Sequence, residues 1–385
     1  MTTNDPYTHI RIPAAAGGAL RTLEERRARA RGDTGVPGQP GADARQRNEK
    51  VKALSLLLYS AVEFSKAHIR RIAKSREVSA VRMSPGLAAA SHVLIMTVHN
   101  EAHRMAFFLS YYKALGFEQF IVLDNESTDG LRSLLENEPG VSVFAAKGSY
   151  KNSRFGNDWI NKVLSKYCSG KWILYVDADE FFVYPHSDTK NIVELTAHLA
   201  HKRQRSMNSL MVDMYSDRKA SANRCRPGEN PAQVCPLYDA YGYQTRFDAR
   251  SRTAWTKGGV RGRIFFEDVW AGPALNKTPL VFWKRPYAFL KSSHQLWPAH
   301  LNQPASQSGN AMTSALLHFK FLADINDKLH AESVRQQHTS EYGAYTDQLH
   351  AKREEPDFVG APTARYEGWR SLLRDKLIAS DDEFA

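Results

Sequence analysis

At 385 residues, with 52 Lys plus Arg against 41 Asp plus Glu, the chain carries a formal net charge of +11 and is long enough for one large or two small domains. It holds no apolar run of about 18 residues, so no membrane-spanning helix is expected. Its polar start lacks the apolar stretch of a cleavable signal, and a cytoplasmic protein is expected. The three cysteines are too few for a disulfide scaffold, and no recognised nucleic-acid motif accompanies the basic excess, which argues against a nucleic-acid partner.

The excess charge is concentrated at one end. Residues 1–88 hold 16 Lys plus Arg and 8 Asp plus Glu, a net +8. Residues 1–50, rich in Ala, Gly, Arg and Pro from position 13, are expected to be disordered or weakly ordered. Residues 51–88 are expected to form a basic amphipathic helix and a linker. Over 51–72 the apolar spacing runs through Leu54, Leu57, Leu58, Val62 and Ile69, and Lys66, Arg70, Arg71 and Lys74 gather at the end. Two readings fit: a helix packed on the following domain with cations matching its dipole, or a helix drawn to an anionic membrane surface.

Residues 89–350 read as one α/β domain. His92-Val-Leu-Ile-Met-Thr-Val98 is an apolar strand followed by His99-Asn100-Glu101. Helical spacing follows over 102–115, through Met105, Phe108, Leu109, Tyr112 and Leu115, and Gly116 stops it. Phe120-Ile-Val-Leu123 is the next strand, ending in Asp124-Asn125-Glu-Ser-Thr-Asp-Gly130, and a helix starts at Leu131. Strand, helix, strand, helix is the pattern of a parallel sheet with crossovers, in which ligands bind off the carboxyl ends of the strands. A helix over 159–167, capped by Asn157 or Asp158, leads to the next strand; Lys151 and Arg154 before it either face a phosphate or are solvated.

That strand, Trp172-Ile-Leu-Tyr-Val176, runs into Asp177, Asp179 and Glu180 before apolar residues resume at Phe181. Three carboxylates at the end of a buried strand are costly unless a cation sits among them. Asp177 and Asp179, one residue apart, can both reach one divalent ion, and hard oxygen ligands suit Mg2+ or Mn2+. Such an ion can in turn hold a diphosphate.

Taken together, Thr97-Val-His-Asn-Glu101, Asp124-Asn-Glu-Ser-Thr-Asp-Gly130 and Asp177-Ala-Asp-Glu180, with about 80 residues from first strand to Asp-x-Asp, resemble the signature set of family 2 type glycosyltransferases with a GT-A fold. The closest likeness is to the branch with Trp-Ile-Leu-x-x-Asp-x-Asp-Glu-Phe. That branch continues as this chain does, with Gly258-Gly-Val-Arg261, Lys277-Thr-Pro-Leu-Val281 and Leu317-His-Phe-Lys320. The resemblance spans roughly 90–345. It implies a Rossmann-like, mixed and mostly parallel sheet flanked by helices, with helical N- and C-terminal extensions. It also implies donor contacts from Thr97, Asn100, Glu101, Asp124, Asn125, Asp177 and Arg154, with Asp124 on the base, usually uracil. His318, alone in an apolar run, is either a satisfied core histidine or, by the resemblance, the third ligand beside Asp177 and Asp179 to Mn2+ or Mg2+.

The remaining candidates lie on the acceptor side. Residues 211–217 read as a strand lining the site. Gly258 and Gly259 permit close backbone approach to a ligand. Arg261 and Arg263 project from one face if their segment is a strand, and with Gly259 and His294 they are candidates for an acceptor or phosphate. The catalytic base in related folds falls roughly 90 residues after the Asp-x-Asp, at Glu267 or Asp268, with Asp239 as competitor. Cys225 and Cys235 bracket a loop and are expected to be free thiols rather than a pair. A helical region from Phe319 through Leu329 to Tyr342, a linker over 352–364, a helix over 366–378 and an acidic tail complete the chain; residues 351–385 lie outside the domain.

The expected activity is transfer of a sugar from a nucleotide-sugar donor, UDP-linked by the resemblance, to a saccharide or lipid-linked acceptor in surface polysaccharide or glycoconjugate synthesis. Two rivals stand beside it. A nucleotidyltransferase uses a similar sheet and metal, but would carry a Gly-rich loop and Lys after the first strand, which Thr97-Val-His-Asn-Glu101 does not supply. A non-catalytic polysaccharide-assembly subunit has no reason to keep costly acids.

Overall fold

The computed structural model describes residues 42–302, 311–323 and 355–384. A nine-stranded mixed sheet organises them. In chain order its strands are β1 (Val78–Arg82), β2 (His92–Val98), β3 (Phe120–Asp124), β4 (Val141–Ala146), β5 (Trp172–Tyr175), β6 (Glu180–Val183), β7 (Ser206–Asp213), β11 (Asn276–Phe282) and β14 (Ser314–His318), while β8 (Leu237–Asp239), β9 (Tyr243–Asp248), β10 (Thr253–Gly258), β12 (Ala288–Phe289) and β13 (Leu296–Trp297) lie in small two-stranded pairings outside it. Their spatial order is β1-β4-β3-β2-β5-β11-β7-β14-β6. Strands β2, β3, β4 and β5 are mutually parallel, β11 runs against β5 and β7, and β14 lies parallel to β7. Edge strands β1 and β6 run antiparallel to their neighbours. Six of the nine strands therefore point one way, the mixed, mostly parallel α/β sheet expected from the sequence.

The period of two in these strands divides the core. Leu94, Met96 and Val98 of β2 face one layer with Phe120 and Val122 of β3, while Val93, Ile95, Ile121 and Leu123 face the other. The first layer is closed by α2 (Ala102–Ala114), α3 (Leu131–Glu136) and α5 (Ile192–His201). The second is closed by α4 (Asn157–Tyr167), whose Trp159, Ile160, Val163 and Leu164 are buried. Apolar residues on both faces explain why these strands read as continuous apolar runs.

Helix α1 (Ala42–Ala73) begins nine residues before the expected helix. It packs on the second layer side. Arg70 Nε donates to Asp158 Oδ2 at 3.0 Å, Trp297 Nε1 donates to Ser60 Oγ at 2.9 Å, the Phe64 and Trp297 rings sit 4.7 Å apart, and Ala67 is buried. Of the four cations expected at its end, Arg70, Arg71 and Lys74 turn inward, onto Asp158, the Arg285 carbonyl and Glu77. The packed-helix reading therefore holds for this face.

Several local expectations are corrected. Helix α4 starts at Asn157 with Gly156 as its N-cap, at φ 77°, so neither Asn157 nor Asp158 caps it. Asp158 is fully buried and is held by Arg70 and Arg154, which uses the carboxylate that a cap would need. After the single turn of α6 (Pro231–Val234), the segment with Arg261 and Arg263 is not a strand but α7 (Gly259–Phe265). It follows the hairpin of β9 (Tyr243–Asp248) and β10 (Thr253–Gly258). Two residues apart on a helix, the two arginines point to different sides. The last helix, α8 (Trp369–Arg374), is shorter than expected. The helical region expected from Phe319 through Leu329 to Tyr342 does not start at Phe319: residues 319–323 are not helical, because the Phe319 N–H donates to Asp179 O and the Phe321 carbonyl accepts from Asn223 Nδ2; the rest of that region and most of the segment over 1–50 lie outside the described residues. Cys225 and Cys235 are free thiols, as is Cys168.

Candidate active site at the carboxyl edge of the sheet

Because β2, β3, β5, β7 and β14 point the same way, their last residues meet along one edge. The antiparallel β6 and β11 start at that edge, and so deliver Glu180 and Lys277 to it. Register does the rest: His318, the last residue of β14, pairs with Asp213 of β7 on one side and with Glu180 of β6 on the other. The strand order also reverses here, with β3 and β4 on one side of β2 and β5 on the other. Such a switch point opens a crevice in parallel sheets. Thr97 and Asn100 flank it from β2, and Asp177 from β5.

At the centre a chain of charges runs through His318. Its Nδ1–H donates to Asp213 Oδ1 at 2.6 Å, its Nε2 lies 3.4 Å from Asp179 Oδ2, and Arg261 Nε donates to Asp213 Oδ2 at 2.7 Å. Burial alone would lower the His318 imidazole, but Asp179 and Asp213 hold it above its ordinary value. Burial likewise would raise the Asp213 carboxyl, and Arg261 with His318 outweighs it and holds it below. Beside this chain the Lys277 ammonium lies 3.1 Å from Asp177 Oδ2 and also donates to Glu180. Desolvation works against that charge, yet Asp177 and Glu180 raise Lys277 well above the usual lysine range. The Asp177 amide donates to Glu180 Oε2 at 3.1 Å, closing the turn.

Among the described residues, four carboxylates thus face two permanent cations. Lys277 and Arg261 are almost wholly buried, as are Glu180 and Asp213, whereas the Asp177 and Asp179 side chains remain 40% and 23% exposed. The two acids of the Asp-x-Asp thus present their carboxylates at the solvent side. A divalent cation fits that charge, with carboxylate oxygens and imidazole as a donor set suited to Mn2+. The cage is not preformed: among the described residues no three His, Cys, Asp or Glu side chains converge in metal-ligand geometry, and Asp177 is turned onto Lys277.

The expected donor residues line the β2 and β3 ends, and several of them hold the loops together. Asn100, at φ 55°, accepts from Thr128 N through Oδ1 at 2.7 Å, and its backbone N–H donates to Ser127 Oγ. Glu101 pairs with Arg104 at 3.0 Å. Asn125 is buried and donates to Ala146 O at 2.9 Å and to Gly148 O. Asp124 is fully buried; it accepts from Ser127 N at 3.0 Å and from Arg132 Nη2 at 2.6 Å. Arg154 donates to Asp158 and to Leu290 O rather than standing free for a phosphate. By contrast, Thr97 Oγ1 and both polar atoms of the Asn157 amide are buried without a partner among the described residues. A Cβ on Gly156, between them in the chain, would lie 2.8 Å from Thr97 Oγ1. Buried polar groups without partners are rare and point to a bound water or ligand.

The acceptor-side candidates divide. Gly258 and Gly259 have positive φ and sit against Gly242 and the Tyr243 ring, so the close approach they permit is to the chain itself. Asp239 is buried, with Tyr215 Oη and Arg263 Nη2 on one oxygen at 2.6 and 3.0 Å and Arg263 Nε on the other at 3.1 Å. Both its oxygens are engaged away from the His318 chain. Glu267 and Asp268 are exposed just past α7, and Asp268 accepts from Trp270 N at 2.9 Å. His294 Nδ1–H donates to Asn276 O at 2.6 Å. Burial first, then Lys277, pushes this imidazole down to about 3, so it is neutral, with Nε2 as an acceptor.

Asp213 and Lys277 carry central positions with no role expected for them from the sequence, although Lys277 opens one of the motifs of the resemblance and Asp213 lies in the segment expected to line the site. Their signals were a lone acid in Met211-Val-Asp-Met214 and a lone Lys before the apolar Pro279-Leu-Val-Phe282.

No family model matches this chain, and no curated protein matches it. Among solved structures, a mannosyltransferase from Pyrobaculum calidifontis, in complex with GDP-Man and Mn2+, aligns at 17% identity and a TM-score of 0.24, over 42% of this chain and 46% of that one. The chain therefore matches less than half of that protein's length. The inositol-1-phosphate CTP transferase from T. maritima aligns at 10% identity and a TM-score of 0.24, over 75% of this chain and 95% of that one.

Proposed function

We propose that this protein is a metal-dependent transferase that moves a sugar from a nucleotide-sugar donor, UDP-linked by its motifs, to a hydroxyl of a saccharide or lipid-linked acceptor. The observation that carries this reading is the line Asp179–His318–Asp213–Arg261, set beside Asp177 at the switch point of the sheet.

In this reading Asp179, His318 and Asp177 hold Mn2+ or Mg2+, which supplies Lewis-acid stabilisation of the departing diphosphate when bound. Asp213 accepts the Nδ1 proton of His318 and so presents Nε2 outward, the role that a carboxylate plays behind a ligating histidine. Lys277 stays paired with Glu180, and Asp177, which it also holds, would turn from it toward the metal. Thr97 and Asn157 offer the donor hydrogen bonds that no described residue satisfies, and Asp124 with Arg132 stands at the end of β3 for the base. His294 Nε2 accepts from an acceptor hydroxyl. For an inverting reaction Glu267 or Asp268 would take the acceptor proton; Asp239 is held by Arg263 and serves to fix α7.

The test is donor turnover by the full-length protein across UDP-, GDP- and CDP-sugars, with Mn2+ or with chelator, followed by separation of the products. Nucleoside diphosphate released only with metal is the expected result. Pyrophosphate release would mark nucleotidyl transfer instead, and absence of any turnover or metal-dependent donor binding would favour the non-catalytic rival.

A further inference from the structure

One face of the hairpin of β9 and β10 carries a layer of alternating indoles and cations. Trp255 and Lys257 share that face of β10, and across the ladder they stand opposite Arg246 and Gln244 of β9. Trp270, just past α7, closes on it. The Arg246 guanidinium lies 4.0 Å from the centre of its ring and the Lys257 ammonium 5.9 Å, and the indole N–H donates to Gln244 Oε1 at 2.9 Å. From the loop after β12, the Lys291 ammonium stands 5.0 Å from the centre of the Trp255 ring. All six side chains are exposed or half-buried.

Among the described residues, neither Arg246 nor Lys291 has a carboxylate partner. Asp248 and Asp268, close to them in the chain, are held locally, by Ser251 Oγ with the Arg250 N–H and by the Trp270 N–H. A cation over an indole spends only one side on the ring and keeps N–H groups for a further partner. Those groups suit a carboxylate, and indoles supply apolar area with little conformational freedom to lose, as the rings of a sugar require. The face is also tied to the reaction edge. The Leu275 N–H donates to Thr256 O at 2.7 Å and the Thr256 N–H to Asn276 Oδ1 at 3.2 Å. Asn276 in turn donates to the His294 carbonyl and accepts from His294 Nδ1, and the next residue, Lys277, reaches Asp177.

We infer that this hairpin face holds an acidic saccharide, the acceptor chain of the proposed transfer, with Arg246 and Lys291 on its carboxylates and Trp255 and Trp270 against its rings. The acceptor role rests on the transferase reading; recognition of an acidic sugar by this face does not.

The experiment is calorimetric titration of the full-length protein with an oligogalacturonate and with a neutral maltooligosaccharide of the same length, at low and high salt, with inorganic polyphosphate as an anion that is not a sugar. Wild type is expected to bind the oligogalacturonate at least about tenfold more tightly than either of the others, and to lose affinity as salt screens the contacts. Lys291→Gln and Arg246→Gln should each weaken that binding about tenfold, the typical cost of one charge-assisted hydrogen bond. The Lys291→Gln melt should match wild type, because that side chain is exposed. No binding of the oligogalacturonate, equal affinity for the maltooligosaccharide or for polyphosphate, or undiminished binding in either variant would overturn the inference. Titration of UDP and GDP with Mn2+ into the same preparations separates the two claims. Nucleotide binding without oligogalacturonate binding sinks this inference alone; the reverse leaves the saccharide face standing and sinks the transferase reading.

Discussion

Asp213→Asn removes one charge from a group of three and keeps the side chain's shape. The Asp213 and Arg261 side chains are 2% and 3% exposed, so solvent does not take over when the pair is broken. A buried charge left without its partner costs about 3–5 kcal/mol, here the Arg261 guanidinium facing a neutral amide. At roughly 2 °C per kcal/mol for a large domain, the melt should fall by roughly 6–10 °C. The carboxyl is held below its ordinary value of 3.8, so its stabilisation is present above that pH and fades as pH falls through the lowered value. The difference between wild type and variant should therefore be full at pH 7 and shrink in urea melts taken below about pH 4. Arg261→Met alone should also destabilise, and the double variant should cost clearly less than the two single losses added. Singles that leave the melt unchanged, or that simply add, would refute the reasoning that Arg261 and Asp213 form one buried unit behind His318.

Arg70→Met leaves fully buried Asp158 with Arg154 alone and should lower stability by about 1–3 kcal/mol, measured by denaturant titration; no loss would show that α1 is not held through this pair. Asp124→Ala should weaken binding of the nucleoside diphosphate about tenfold to a hundredfold by calorimetry, the cost of a charge-assisted hydrogen bond, while unchanged affinity would remove Asp124 from the donor site. Burial pushes the Cys168 and Cys235 thiols up to about 12, so at pH 8 Cys225 alone should react quickly with a chromogenic disulfide in the native protein. Rapid modification of all three cysteines before unfolding would contradict their placement.

The parallel half of the sheet was legible because apolar runs such as 92–98 and 120–123 end in polar clusters, and because helical spacing intervenes. Strands β1 and β4 passed unremarked: Val78–Arg82 is short, mostly exposed and lacks alternation. The Gly258-Gly259 pair suggested approach to a ligand, when its positive φ values serve a turn from β10 into a helix. That error carried Arg261 and Arg263 onto one face, whereas each is drawn to a different carboxylate. Asp177, Asp179 and His318 stood out as charges in apolar runs. The partners that organise them, Asp213 and Lys277, come from strands far away in the chain, and only register brings them together.

The central claim is that Asp179 and His318 hold a divalent cation that binds the donor diphosphate. Calorimetric titration of UDP and GDP into wild type, Asp179→Asn and His318→Gln, each with and without Mn2+, tests it most directly. Wild type should bind one of the nucleotides only when Mn2+ is present, and both variants should lose that metal-dependent part while keeping a folded, cooperative melt. Equal nucleotide affinity with and without Mn2+ in wild type, or Mn2+-dependent binding undiminished in either variant, would contradict it.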